Sequence, residues 1–217
     1  MKGIILAASL CLAAANALAQ APSPSPSRWS LDGGYSQRFW ESSANDPQEQ
    51  REYQERARNG WNLGGDVSVF PLGGRYGVGL TYARFRRALS DSSVLFPDGI
   101  PGSMKDVYTI HYAAPSVFAR VPLPAAFEVV GQAGVGWMYY RNQHEARDYP
   151  GVIEGVALGM HAAVSVDYRP LPFVGVGIGA RFLHGDLDAL DYNGMRTPFP
   201  AVSLTRLDLF AGVRFYP

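Results

Sequence analysis

The chain has 217 residues, 19 basic and 19 acidic side chains and a single cysteine. The charge balance gives nucleic-acid backbones nothing to bind, and one cysteine excludes a disulfide framework. The length suits one domain.

Met1-Lys2 precedes an apolar run from Ile4 to Leu18, and Ala17-Leu18-Ala19 supplies a small-x-small site before Gln20. This pattern predicts a cleavable signal peptide over residues 1–19. The run is too short and too alanine-rich for a spanning helix, which needs roughly 20 apolar residues. Cys11 leaves with the signal, and Leu10 stands where a lipid-attachment motif places a small residue. The mature chain, Gln20 to Pro217, then holds 18 basic and 19 acidic groups once Lys2 is removed from the count. Without disulfides, an exported domain needs a large core or a bilayer for stability.

Residues 20–27 include Ala21-Pro-Ser-Pro-Ser-Pro-Ser27, an extended Pro/Ser stalk on the periplasmic side. From residue 28 to 217 the chain repeats one unit, an alternating segment followed by a break. Three breaks are short and share Pro-Leu: Pro71-Leu72-Gly73-Gly74, Pro122-Leu123-Pro124 and Pro170-Leu171-Pro172. Four are long and polar, from about Glu41 to Asn59, Ala88 to Lys105, Arg141 to Ile153 and Gly185 to Ala201. Prolines and glycines end strands. Long and short breaks alternate, so the short turns gather at one end and the long loops at the other. The predicted strands are Arg28–Trp40, Gly60–Phe70, Arg75–Arg87, Asp106–Val121, Ala125–Tyr140, Glu154–Arg169, Phe173–His184 and Val202–Tyr216. An even number puts both termini at the short-turn end. Pro115, inside the fourth strand, predicts a bulge.

Residues two apart on a strand share a face. Val174, Val176, Ile178, Ala180 and Phe182 oppose Gly175, Gly177, Gly179 and Arg181. Leu207, Leu209, Ala211, Val213 and Phe215 oppose Arg206, Asp208, Phe210, Gly212 and Arg214. Such alternation fits a soluble barrel with its apolar face inward or a membrane barrel with that face outward. The second face decides. It is mostly Gly, Ala and Ser with isolated charges, which suits a crowded interior rather than a water-facing wall. The mature chain has one lysine, Lys105, placed in a loop. Aromatics near strand ends, Trp29, Trp61, Tyr76, Tyr108, Trp137, Tyr139, Tyr168, Phe173 and Phe215, predict interfacial girdles. The expected fold is therefore all-β: an eight-stranded antiparallel up-and-down transmembrane β-barrel.

With this strand pattern and a last segment reading Leu204-Thr-Arg-Leu-Asp-Leu-Phe-Ala-Gly-Val-Arg-Phe-Tyr-Pro217, the chain resembles the small outer-membrane barrels of the OmpA/OmpX-like superfamily. The resemblance covers nearly the whole mature chain. It implies a Gram-negative outer-membrane location, termini in the periplasm, and contact with lipid, lipopolysaccharide and the outer-membrane assembly machinery. Pro217 stands where that family ends on Phe or Trp, so Phe215 takes the aromatic role in the assembly signal. No peptidoglycan-binding domain follows.

By parity, Asp32, Asp66, Glu128, Asp167 and Asp208 face inward with Arg38, Arg181, Arg206 and Arg214, and Arg120 joins them beyond the bulge. Charges so placed must pair, because a buried unpaired charge is very costly. A paired network that fills the lumen is favoured over a polar path for solutes. Arg84, Arg86 and Arg87 end the third strand at the level of lipopolysaccharide phosphates, which arginine pairs with well; an exposed charged rim is the alternative. Asp186, Asp188, Asp191 and Asn193 offer oxygen ligands but miss the EF-hand spacing, so a solvated acidic loop is expected and no metal. A lipid A deacylase of this fold uses a lipid-facing Ser and His. His161 and Ser165 share an inward face, four residues or roughly 13 Å apart, and His111, His144 and His184 have no Ser two residues away. The expectation is a monomer without cofactor or catalytic residues, binding no nucleic acid. It acts in envelope integrity or, through its loops, in surface interaction. Small-solute transport and lipid modification are the alternatives.

Overall fold

A computed structural model describes residues 25–39, 52, 55–71, 74–95, 101–146, 149–187, 189–197 and 202–217. The predicted signal peptide, the predicted stalk up to residue 24, Asp188 and most of the first predicted long loop lie outside the described residues. The strands are β1 (Ser27–Arg38), β2 (Asn59–Val69), β3 (Tyr76–Leu95), β4 (Pro101–Pro122), β5 (Phe127–Ala146), β6 (Tyr149–Tyr168), β7 (Val174–Leu187), β8 (Leu190–Tyr192), β9 (Met195–Thr197), β10 (Val202–Ser203) and β11 (Arg206–Phe215). Strands β1 to β7 pair in sequence, β11 pairs with β7, and β1 pairs with β11, all antiparallel. This closes a ring of 8 strands. Closure removes the sheet edges that would otherwise expose unpaired backbone.

The side-chain alternation takes the orientation the sequence predicts. Val176, Ile178, Leu158, Leu80 and Leu209 are exposed on the outside, while Arg181, Asp208 and Arg214 are buried within. Trp29 and Phe215 are ladder partners at the turn end, and Tyr35 and Trp61 are partners nearer the loop end. These four exposed aromatics mark the two edges of the apolar belt. Tyr108 is not part of either girdle: it is buried in an upper-lumen cluster with Phe85, Ile110, Tyr112, Met138 and Tyr140.

Two predicted loops are mostly strand. The β3–β4 ladder runs on to Leu95↔Pro101, and the β5–β6 ladder to Ala146↔Tyr149. The inner face here is polar, with Asn142 buried and bonded to Asp106, so stretches such as Arg141-Asn-Gln-His144 gave no apolar alternation and no strand signal. Lys105 accordingly sits on β4, 3.4 Å from Glu145. The last loop contains the β8–β9 hairpin, turned by Asn193 (φ 47°) and Gly194 (φ 82°). Positive φ at both central residues is the tight-hairpin requirement that Asn-Gly meets.

Pro115 makes no bulge. Ala113 pairs with Trp137 and Ser116 with Gly134, so the register is unbroken and the rungs at Ala114 and Pro115 are simply missing on the β5 side. A proline removes one donor, and here the ladder drops it without inserting a residue. A register shift falls instead in the β3–β4 ladder, between Asp91 and Val94. The stalk also ends earlier than predicted. Ser27 begins β1, Ser25 Oγ donates to the Pro217 carbonyl at 2.9 Å, and the Phe70 amide donates to the Pro26 carbonyl at 2.7 Å.

Candidate functional site

The turn-end half of the lumen holds an ion-pair network. Arg28 on β1 reaches Asp66 on β2 at 2.6 Å and Asp167 on β6 at 2.7 Å. Arg214 on β11 reaches the other oxygen of Asp167 at 2.9 Å and Asp32 on β1 at 2.5 Å. Arg181 on β7 stands 3.8 Å from Asp32 and 4.9 Å over the Phe210 ring. Two arginines therefore grip one carboxylate, one through each of its oxygens, and all of these side chains are buried. Arg28 was missed because it borders the Pro/Ser segment; its shared parity with Asp32 was the available signal.

The remaining interior charges are separate. Arg206 pairs with Asp208 two residues away at 3.1 Å, and Ser36 Oγ donates to the same carboxylate. Arg38 faces Arg206 across the β1–β11 ladder and donates to the Ser203 carbonyl at 3.3 Å. Both guanidinium groups lie 5.9 Å from the Phe85 ring. Arg120 is 3.9 Å from Glu128 and 4.1 Å over Phe70, near the turn end. Asp106, at the start of the predicted fourth strand but not among the predicted site residues, is buried and accepts from Asn142 at 2.9 Å. A void of about 10 Å³ lies among Arg28, Asp66, Gln132, Ser165 and Phe210. It is barely the volume of one water.

On the outer surface Arg84 and Arg86 follow Tyr82 up β3, and Arg86 pairs with Trp61 at the upper girdle. Arg87 does not join them: it follows buried Phe85 onto the lumen-side face, because alternate residues change sides. Beside Arg84, His111 Nδ1 lies 2.7 Å from the Tyr82 hydroxyl. Further round the rim, Glu154 meets Arg141 at 3.3 Å and accepts from the Tyr139 hydroxyl at 2.7 Å.

The histidines resolve differently from one another. His161 is buried inside, with Nδ1 2.9 Å from the Tyr112 hydroxyl. His144 stacks on Tyr192 with ring centroids 5.6 Å apart. His184, which has no serine neighbour along the chain, finds hydroxyls across the strand boundary. Its Nδ1 lies 2.9 Å from Thr205 Oγ1, which lies 2.8 Å from Ser203 Oγ. Its Nε2 lies 3.8 Å from Asp186 Oδ2. A search by spacing in the sequence cannot find contacts between strands whose register is unknown. Asp186 thus turns to His184, while Asn193 Oδ1 accepts from the Val152 amide at 2.9 Å, so these two loop oxygens do not converge. Among the described residues no cluster of three or more His, Cys, Asp or Glu side chains forms a metal site.

No protein-family model and no curated protein matches the chain. Among solved structures, a major outer membrane protein from Thermus thermophilus is similar at a TM-score of 0.52 and 11% identity, covering 87% of this chain and 98% of that one. Neisserial surface protein A is similar at 0.48 and 13%, covering 89% and 98%. Ail, the attachment invasion locus protein of Yersinia pestis, is similar at 0.46 and 19%, covering 87% and 98%. At such identities the likeness is one of fold and carries no activity or ligand with it. With its closed ring of 8 strands and its apolar outer belt, the chain has the fold of the small OmpA/OmpX-like outer-membrane β-barrels.

Proposed function

We propose that this chain is an exported outer-membrane barrel that serves as a closed structural scaffold, holding tall β-hairpins above the membrane for envelope integrity or surface interaction. The observation that carries the reading is the asymmetry of the barrel. One end has short Pro-Leu turns and the buried Arg28–Asp167–Arg214 network, and the other has the long β3–β4 and β5–β6 hairpins. A rigid plugged wall with extensions on one side presents surface without passing solute. In this reading the turn end and both termini face the periplasm, and the assembly machinery reads β11, which ends on Phe215.

Lipid contact follows the same axis. Arg84 and Arg86 stand at the upper aromatic girdle, where a lipopolysaccharide phosphate meets their guanidinium groups. Small-solute transport is the weaker reading, because Arg28, Arg214, Asp32, Asp66 and Asp167 occupy the lumen a solute would need.

Cell fractionation and epitope tagging test this together. The mature protein is expected in the outer-membrane fraction, resistant to carbonate, and migrating differently on gels with and without boiling. A tag inserted at Gly194 is expected to bind antibody on intact cells, and one at Pro124 only after permeabilisation. Recovery in the soluble periplasm, or the reverse tag pattern, would contradict the reading.

A further inference from the structure

Two arginines on the outer wall differ from the cations around them. At the loop end Arg56 pairs with Asp91, Lys105 with Glu145 and Arg141 with Glu154. Arg84 and Arg86 make no ion pair among the described residues, and Arg84 Nε is shielded from solvent without a hydrogen-bond partner. A shielded donor of this kind calls for a partner from outside the chain. The two residues share the outer face of β3, about 7 Å apart along the strand. Their ladder partners are Leu63 and Trp61 on β2, and His111 and Thr109 on β4. The pair thus brings two positive charges to an apolar and aromatic border.

One row nearer the turn end, the wall sinks. Gly65, Tyr82 and Ala113 are ladder partners on β2, β3 and β4. Gly65 has no side chain and Ala113 a short one, so a groove of about 470 Å³ opens over them among Leu31, Leu63, Val67 and Leu80. These four apolar side chains are exposed on the belt. The Tyr82 hydroxyl lies 2.7 Å from His111 Nδ1, and His111 is on β4 in the row of Arg84. That contact turns the Tyr82 hydroxyl toward β4, the side away from Gly65.

We propose that Arg84 and Arg86 hold one phosphomonoester of the lipid A moiety of lipopolysaccharide, while one of its acyl chains lies in the groove over Gly65 and Ala113. The inference deepens the lipid contact given above and rests on its placement of the loop end in the outer leaflet.

Charge selects the headgroup. A phosphomonoester carries about −1.5 to −2 at pH 7, which matches two guanidinium groups that no carboxylate neutralises. A phosphodiester carries a single charge and leaves one guanidinium uncompensated. The planar arginine fork also suits phosphate oxygens, which it meets in pairs.

Position selects the tail. A lipid keeps its phosphate at the interface and sends its acyl chains toward the bilayer centre. Arg86 stands beside Trp61 at the upper girdle, and the groove begins one row below Arg84 and continues toward the turn end. Its volume is that of an ordinary small-ligand site. A headgroup without a tail would meet the arginines but leave this groove unused.

Native mass spectrometry of the purified full-length barrel, its folding verified by gel migration with and without boiling, counts the bound lipid. The probes are bis-phosphorylated lipid A, the same lipid A with its phosphates removed, and phosphatidylglycerol, a phosphodiester. One lipid A per barrel is expected, retained well above the other two probes. Arg84→Gln and Arg86→Gln should each weaken retention about tenfold, the worth of a hydrogen bond to a charged group. Arg141→Gln removes the same charge at the same height from the Glu154 pair and should leave retention unchanged. Ala113→Phe fills the groove with a group the lipid-facing belt accepts, and should weaken retention with both arginines intact. Equal retention of phosphatidylglycerol, an equal loss in Arg141→Gln, or undiminished retention by Arg84→Gln or Ala113→Phe would overturn the proposal. The tags at Gly194 and Pro124 read orientation separately. Absence of lipid A binding with Gly194 displayed on intact cells would overturn this subsite alone. A reversed tag pattern would overturn the outer-leaflet reading and the lipid A assignment together.

Discussion

Gly177 lies opposite Asp167 across the β6–β7 ladder, and a Cβ built on it would fall 2.1 Å from Asp167 Oδ1. The same Cβ would come within 2.9 Å of two Arg214 nitrogens. The glycine face of β7 therefore makes room for the Arg214–Asp167 ion pair.

Gly177→Ala should consequently destabilise the barrel by about 1–3 kcal/mol, the usual cost of overpacking. Denaturant unfolding of the folded protein in lipid vesicles measures it. A stability equal to wild type would mean that the network tolerates displacement.

The Arg206–Asp208 pair allows a clean double-mutant cycle, because no other carboxylate lies within ion-pairing distance of Arg206 among the described residues. Arg206→Ala should cost roughly 3–5 kcal/mol by leaving a buried carboxylate uncompensated. Adding Asp208→Ala should recover part of that loss. Strict additivity of the two single changes would show that the pair is not coupled. Arg28 and Arg214 give no such clean cycle, since they share Asp167.

Charge on the belt should be felt differently from charge in the lumen. Ile178 is exposed on the outer face, between the Trp29–Phe215 and Tyr35–Leu209 rows. Ile178→Arg should cost about 2–4 kcal/mol of folding stability in a bilayer. Measured in vesicles, an unchanged stability would contradict the lipid-facing assignment of that row.

The fold was legible because its signals are local. Alternation needs only neighbouring residues, and Pro-Leu breaks mark turn after turn, so the faces of β6, β7 and β11 followed from parity alone. What failed to show was of two kinds. The hairpin extensions beyond Arg87 and Tyr140 bury polar side chains such as Asp106 and Asn142 on their inner face, so they leave no apolar alternation to read. Pairings across strands depend on register, which no local pattern sets. Parity placed Arg181, Asp208, Arg206 and Asp167 in the lumen and suggested that they meet. The structure instead divides them: Asp167 goes to Arg28 and Arg214, Asp208 to Arg206 and Ser36, and Arg181 to Asp32. The contact of His184 with Thr205 was hidden for the same reason. Asn193-Gly194, by contrast, was a readable hairpin signal inside a segment taken as loop.

Conductance of the purified barrel in planar bilayers tests the closed-scaffold account most directly. With Arg28, Arg214, Asp32, Asp66 and Asp167 paired across the lumen, and an eight-stranded interior just wide enough for its own side chains, the wild type should show little or no steady current. Large, stable, voltage-independent steps from the wild-type protein would contradict it.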